Sequence, residues 1–144
     1  MVPLGLHEIH IYDHEIPPEC DYRHRAAEAV NKRECCQAFV TTKRSLESYL
    51  HPDAIRKAME IDVAFGDFDP VVELTAKRIQ ERDAPERPWE LLPRRTQAQR
   101  THRAKRRLNT IAVDLMSVDM LRQSDPDSEV ISWLASINEL LKQA

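Results

Sequence analysis

The chain has 144 residues, 31 % charged and 42 % hydrophobic, with a formal net charge of −3. That length suits one soluble domain with a real core, and no apolar run approaches the roughly 20 residues that cross a bilayer. The first residues also lack the basic start and apolar stretch of a secretory signal, so a cytoplasmic location is expected, with no membrane partner. Two glycines in the whole chain exclude a Walker-type phosphate loop. Cys20, Cys35 and Cys36, odd in number and with two adjacent, read as reduced thiols.

In chain order, Leu6 to Tyr12 alternates Ile9 and Ile11 with His7, Glu8 and His10, which predicts a strand. It runs into Asp13-His14-Glu15, and Pro17 and Pro18 then end any ladder because proline donates no N–H. Asp21–Lys32 reads as a helix, and Cys35–Thr41 as a second, apolar strand. Strand, helix and strand make a βαβ unit with a parallel pair. Ser45–Leu50 predicts a short helical turn capped by Ser45, and Pro52 opens a helix that lasts through Met59. Glu60–Phe65 reads as a brief strand and Gly66–Pro70 as a turn. Asp69 and Pro70 form an N-cap and first-turn pair for a helix carrying Val71, Val72, Leu74 and Ile79.

Asp83–Pro93 holds three prolines around Trp89 and is expected to wrap the surface, pinned by that indole. Thr96–Met116 predicts one long helix that packs through Leu108, Ile111, Ala112 and Leu115. Ser124 or Asp125, with Pro126, starts a last amphipathic helix that includes Trp133, Leu134 and Ile137. The expected architecture is α/β: a small, mainly parallel sheet with flanking helices and a helical C-terminal part. It reads as a single domain over 1–144, with an α/β part at 1–82, a Pro-rich connector at 83–95 and a helical part at 96–144.

Charge is unevenly placed. Arg94, Arg95, Arg100, Arg103, Lys105, Arg106 and Arg107 form a basic run with His102 inside it and no acid, whereas acids gather at 13–21 and 60–69. Such a run suits an anionic polymer, and it also describes an ordinary solvated helix face. Asp13 and Glu15, two apart at a strand's carboxyl end, point the same way and read as a candidate Mg²⁺ site or as plain surface. The second strand leads into Lys43, Arg44, Ser45 and Glu47. Parallel neighbours would open this loop at the same sheet edge, where Glu47 could reach a shared metal and Lys43 or Arg44 a phosphate.

Tyr12-Asp13-His14-Glu15, the Lys43-to-Leu50 block and Ala104-Lys105-Arg106-Arg107-Leu108-Asn109 together resemble the C-terminal half of a Toprim nuclease domain. The specific resemblance is to OLD-family (overcoming lysogenization defect) ATP-dependent endonucleases, and it spans about Leu6 to Leu141. It implies metal-dependent cleavage of DNA by hydrolysis of a phosphodiester. Asp13, Glu15 and Glu47 would hold Mg²⁺ or Mn²⁺, and Lys105 or Lys43 would act as the catalytic cation on the scissile phosphate. Arg44, Arg94, Arg95, Arg100, Arg103, Arg106 and Arg107 would hold the nucleic acid. The resemblance further implies an ABC-type ATPase partner, or a missing N-terminal region that completes the site, and a homodimer is a further expectation. On this reading the chain is a fragment, the product of a split gene, or a relic that binds without cutting.

Other readings stand beside this one. The basic helix 94–107 alone would make a non-catalytic module for nucleic acid or an acidic protein, and the C-terminal amphipathic helix would make an assembly surface. His7 and His10, three apart on a strand, face opposite ways and do not share a metal. His51 reads as a helix cap or surface residue ahead of a ligand. Trp89 and Trp133 read as packing anchors ahead of base-stacking platforms, and Met116 and Met120 as core filler.

Overall fold

Glu8–Tyr12 forms strand β1 and Cys36–Val40 forms β2, joined by helix α1 at Glu19–Asn31. The two strands pair in parallel, Glu8 opposite Cys36 through Tyr12 opposite Val40. The computed structural model describes residues 6–143 and is α/β, with this small parallel sheet and six α-helices among the described residues. No helix in it is long and apolar enough to cross a membrane. The remaining helices are α2 (Pro52–Met59), α3 (Val71–Asp83), α4 (Arg94–Arg107), α5 (Val118–Ser124) and α6 (Glu129–Gln143). They fall into two compact units: residues up to Leu46 together with those from Asp125 on, and Glu47–Ser124.

In the first unit, Ala27 and Val30 of α1 bury against Ala38, with Tyr12, Cys36 and Val40 around them. So short a sheet leaves backbone groups to satisfy. Asn31 does part of this: its amide donates to Ala38 O at 3.2 Å and accepts from Ala38 N at 2.8 Å. Helix α6 starts where Asp125 caps it. One carboxylate oxygen accepts from Glu129 N at 3.0 Å and the other from Val130 N at 2.8 Å. The cap is the second of the two residues the sequence offered, Ser124 or Asp125, yet the helix begins at Glu129, because Ser128 takes a left-handed φ of 55° and closes a turn first.

Glu129 in turn accepts from Thr42 N at 2.9 Å and Thr42 Oγ1 at 2.6 Å, tying the start of α6 to the end of β2. Asp125 is buried and serves two orphan donors of α6. Asp125→Ala is therefore expected to lower unfolding stability by about 1–2 kcal/mol. Denaturant titration would show a lower midpoint with an unchanged slope; a loss under about 0.3 kcal/mol would contradict the capping role.

In the second unit, α2 begins after His51, whose Nδ1 accepts from Asp53 N at 3.1 Å, so the histidine is a cap as expected. The core joins Leu50, Ile55, Met59, Ile61, Val63 and Val71 to Leu108 and Ala112. The brief strand expected at Glu60–Phe65 is not formed. Its alternation instead buries Ile61 and Val63 in a helical core, with no neighbouring strand to complete a ladder. Asp69 does not cap α3 either. Its Oδ2 accepts from Gly66 N at 2.6 Å and closes the preceding turn, leaving Pro70 at the cap position without a side-chain bond.

Trp89 is buried against Ala76 and Ala104, which pins the Pro-rich segment as its composition suggests. The long helix expected over Thr96–Met116 is interrupted. After α4 comes a π turn at Leu108–Ala112. The wider turn re-spaces the apolar stripe: Leu108 and Ala112 are fully buried, while Ile111 and Leu115 are exposed. Two side chains hold this turn. Asn109 Nδ2 donates to Lys105 O at 2.9 Å, and Thr110 Oγ1 donates to Arg106 O at 2.7 Å. Helix α5 forms over a short stretch, Val118–Ser124, that buries none of its residues and carries no apolar periodicity to announce it.

Candidate nucleic-acid interface

Because β1 and β2 run parallel, Asp13–Glu15 and Thr41–Arg44 leave the sheet at one edge. Thr41, fully buried, organises the crossing: its hydroxyl accepts from His14 N at 2.9 Å and donates to Lys43 O at 2.6 Å. Asp13 accepts from Leu46 N at 2.9 Å. Glu15 adopts a left-handed φ of 58°, fixed by its N–H donating to Arg44 O at 2.8 Å, and its carboxylate lies 3.8 Å from Arg44 Nε. Asp13, Glu15, Lys43 and Arg44 thus share one strand-end cluster in the first unit, as their spacing suggested.

Glu47 and Lys105 belong to the second unit. Glu47 is only 4 % exposed; its carboxylate accepts from Asn109 Nδ2 at 2.8 Å and stands 3.8 Å from Lys105 Nζ. The acid and the late lysine therefore meet, held by Asn109, an uncharged side chain that charge and spacing do not single out. Among the described residues, no three His, Cys, Asp or Glu side chains gather as a metal-holding group. A cation at the Asp13–Glu15 pair would find carboxylate oxygens of the right hard character. It would have to compete with Leu46 N–H for Asp13 and with Arg44 for Glu15.

The basic residues sort by helical position. Arg95, Gln99, His102 and Arg106 lie on one exposed stripe of α4, opposite the buried Ala104 and Leu108. The side chains of Arg94, Arg95, His102, Arg103 and Arg106 make no hydrogen bond or ion pair among the described residues. On the flank, Arg100 and Arg107 are half-buried and held by neutral oxygens: Arg100 donates to Gln80 Oε1, and Arg107 Nη2 donates to Ala58 O at 3.1 Å.

The amino end of α4 carries Arg94 and Arg95 and no acid in its first turn. Helices ordinarily place acids there, because the backbone dipole already makes that end positive. Cations at that end add to the positive potential instead of offsetting it. Compared with family models, curated proteins and solved structures, the chain shows no significant match.

Proposed function

We propose that the chain is a nucleic-acid-binding module that grips the phosphate backbone of DNA with the exposed face of α4. One observation carries this reading: four arginines of an acid-free helix (Arg94, Arg95, Arg103 and Arg106) stand without partners among the described residues. A like-charged stripe is mildly destabilising to its own helix, and a polyanion turns that cost into binding by counterion release. Guanidiniums suit the task because their planar donor fork matches phosphate oxygens. The exposed face carries no apolar insert between its cations, so backbone contact rather than base readout is the expected mode.

Fluorescence anisotropy with a short labelled duplex, in chelator and about 50 mM salt, is expected to give a dissociation constant in the micromolar range. Equal affinity for an uncharged polymer, or no binding at that salt, would refute the proposal.

A second reading keeps the resemblance to OLD-family nucleases, and the strand-end cluster of Asp13, Glu15, Lys43 and Arg44 is the observation that favours it. There, Mg²⁺ or Mn²⁺ at Asp13 and Glu15 would supply the hydrolytic chemistry, Lys43 would offset phosphate charge, and an ABC-type ATPase or further polypeptide would complete the site. A second copy of the chain is a further proposed partner. Incubation of supercoiled plasmid with Mn²⁺ separates the readings. Metal-dependent nicking that disappears in Asp13→Ala and Glu15→Ala supports the nuclease. Binding that is unchanged by metal, with intact plasmid, supports the module.

A further inference from the structure

A cavity of about 430 Å³ lies between α3 and α4, floored by Ala76, Ile79, Ala84 and Ala104 and rimmed by Arg100, Arg103 and Arg107. The volume falls within the range of small-molecule sites. We propose that this cavity is a phosphomonoester pocket, with Arg103 as the principal anion-contacting residue and Arg100 and Arg107 as preset walls. It goes beyond the exposed stripe, since it is recessed, lies on the helix flank and would take a terminal or free phosphate with a small attached group.

The case rests on how the charges are held. Arg100 is oriented by Gln80, which is fully buried and donates its own amide to Ala84 O at 3.3 Å and Arg87 O at 2.7 Å. Arg107 is oriented by the Ala58 carbonyl. Both anchors are neutral, so both guanidiniums keep their full charge and unused donors. Arg103, between them in sequence, makes no hydrogen bond or ion pair among the described residues. The one acid lining the cavity, Asp83, is bonded to Arg82 Nε at 2.6 Å. That bond, with Arg82, Arg100 and Arg107 adding their charge, holds the Asp83 carboxyl below its ordinary range. Two half-buried guanidiniums and the exposed one of Arg103 around a void, with the lining carboxylate of Asp83 already shared, form a preorganised receptor for a dianion.

The competing account is that these arginines merely offset the negative carboxyl ends of α2 and α3. The two differ in what Arg103 does. The full chain would be titrated calorimetrically with adenosine 5′-monophosphate and with inorganic phosphate, at constant ionic strength. In parallel, 5′-phosphorylated and 5′-hydroxyl oligonucleotides of one sequence would be compared. Arg103→Gln is expected to weaken nucleotide binding about tenfold or more. Arg78→Gln, the same charge change on α3 outside the cavity, is expected to leave it within about twofold.

Preference for the 5′-phosphorylated strand, lost in Arg103→Gln, would identify a strand end as the ligand. Nucleotide binding without that preference would identify a soluble phosphomonoester. No binding of phosphate, nucleotide or strand end by the folded chain would overturn the pocket, as would equal losses in Arg103→Gln and Arg78→Gln. Neither result depends on internal backbone binding by Arg95 and Arg106, so the pocket and the exposed interface can fail separately.

Discussion

Leu108→Ala is expected to destabilise the Glu47–Ser124 unit by about 3–5 kcal/mol. Leu108 is fully buried, and it enters a core shared with Ile55, Met59, Ile61 and Val71. It also opens the π turn, whose backbone is tied to side chains of Asn109 and Thr110 and so has little freedom to collapse into a void. Both the lost transfer energy and the residual cavity count against the variant. Chemical denaturation followed by Trp89 emission would show the shift, since that indole is buried in the same unit. A loss below about 1 kcal/mol would mean that the site relaxes and that the π turn is not a rigid support.

The double variant Arg95→Gln/Arg106→Gln is expected to weaken duplex binding by about 10- to 100-fold at low salt and leave the fold intact. Each lost phosphate contact removes roughly one unit from the slope of log affinity against log salt, and the expected loss corresponds to about 0.7–1.4 kcal/mol for each of the two contacts. Both arginines are exposed and their side chains make no bond among the described residues, so thermal stability should move by less than about 0.5 kcal/mol. It could rise slightly as like-charge repulsion is relieved. Unchanged affinity in a folded double variant would remove the stripe from the interface. Lys105 is the informative contrast: its ammonium faces Glu47, so Lys105→Gln should alter binding less than either exposed arginine.

The sequence was most legible where one local rule had no competitor. Alternation in Glu8–Tyr12 and the apolar run at Cys36–Val40 gave the parallel pair, because the intervening helix leaves room for a crossover. Pro52 fixed the start of α2, with His51 as its cap. Rules failed where a polar side chain had two possible clients. Asp69 looks like a helix cap but serves Gly66 N–H. Ile61 and Val63 alternate like a strand but are drawn into a core made by helices.

Leu108, Ile111, Ala112 and Leu115 fit a straight α-helix by spacing. The π turn becomes legible only with the side-chain bonds of Asn109 and Thr110 to the preceding turn. In the candidate site the charges were visible and their anchoring was not. The acid-free run of arginines is plain in the sequence. Gln80, uncharged and mid-helix, gave no sign that it would be buried beneath Arg100. Thr41 likewise reads as the last residue of a strand, whereas its hydroxyl joins two chain segments at the sheet edge.

The most direct measurement is the duplex affinity of the wild-type chain in chelator across a salt series from about 50 to 200 mM. Four arginines of α4 without a side-chain partner among the described residues lead to a linear fall of log affinity with log salt, with a slope of about −3 to −4. A slope near zero, or binding that survives unchanged when the stripe is neutralised, would contradict a phosphate-gripping role for this helix.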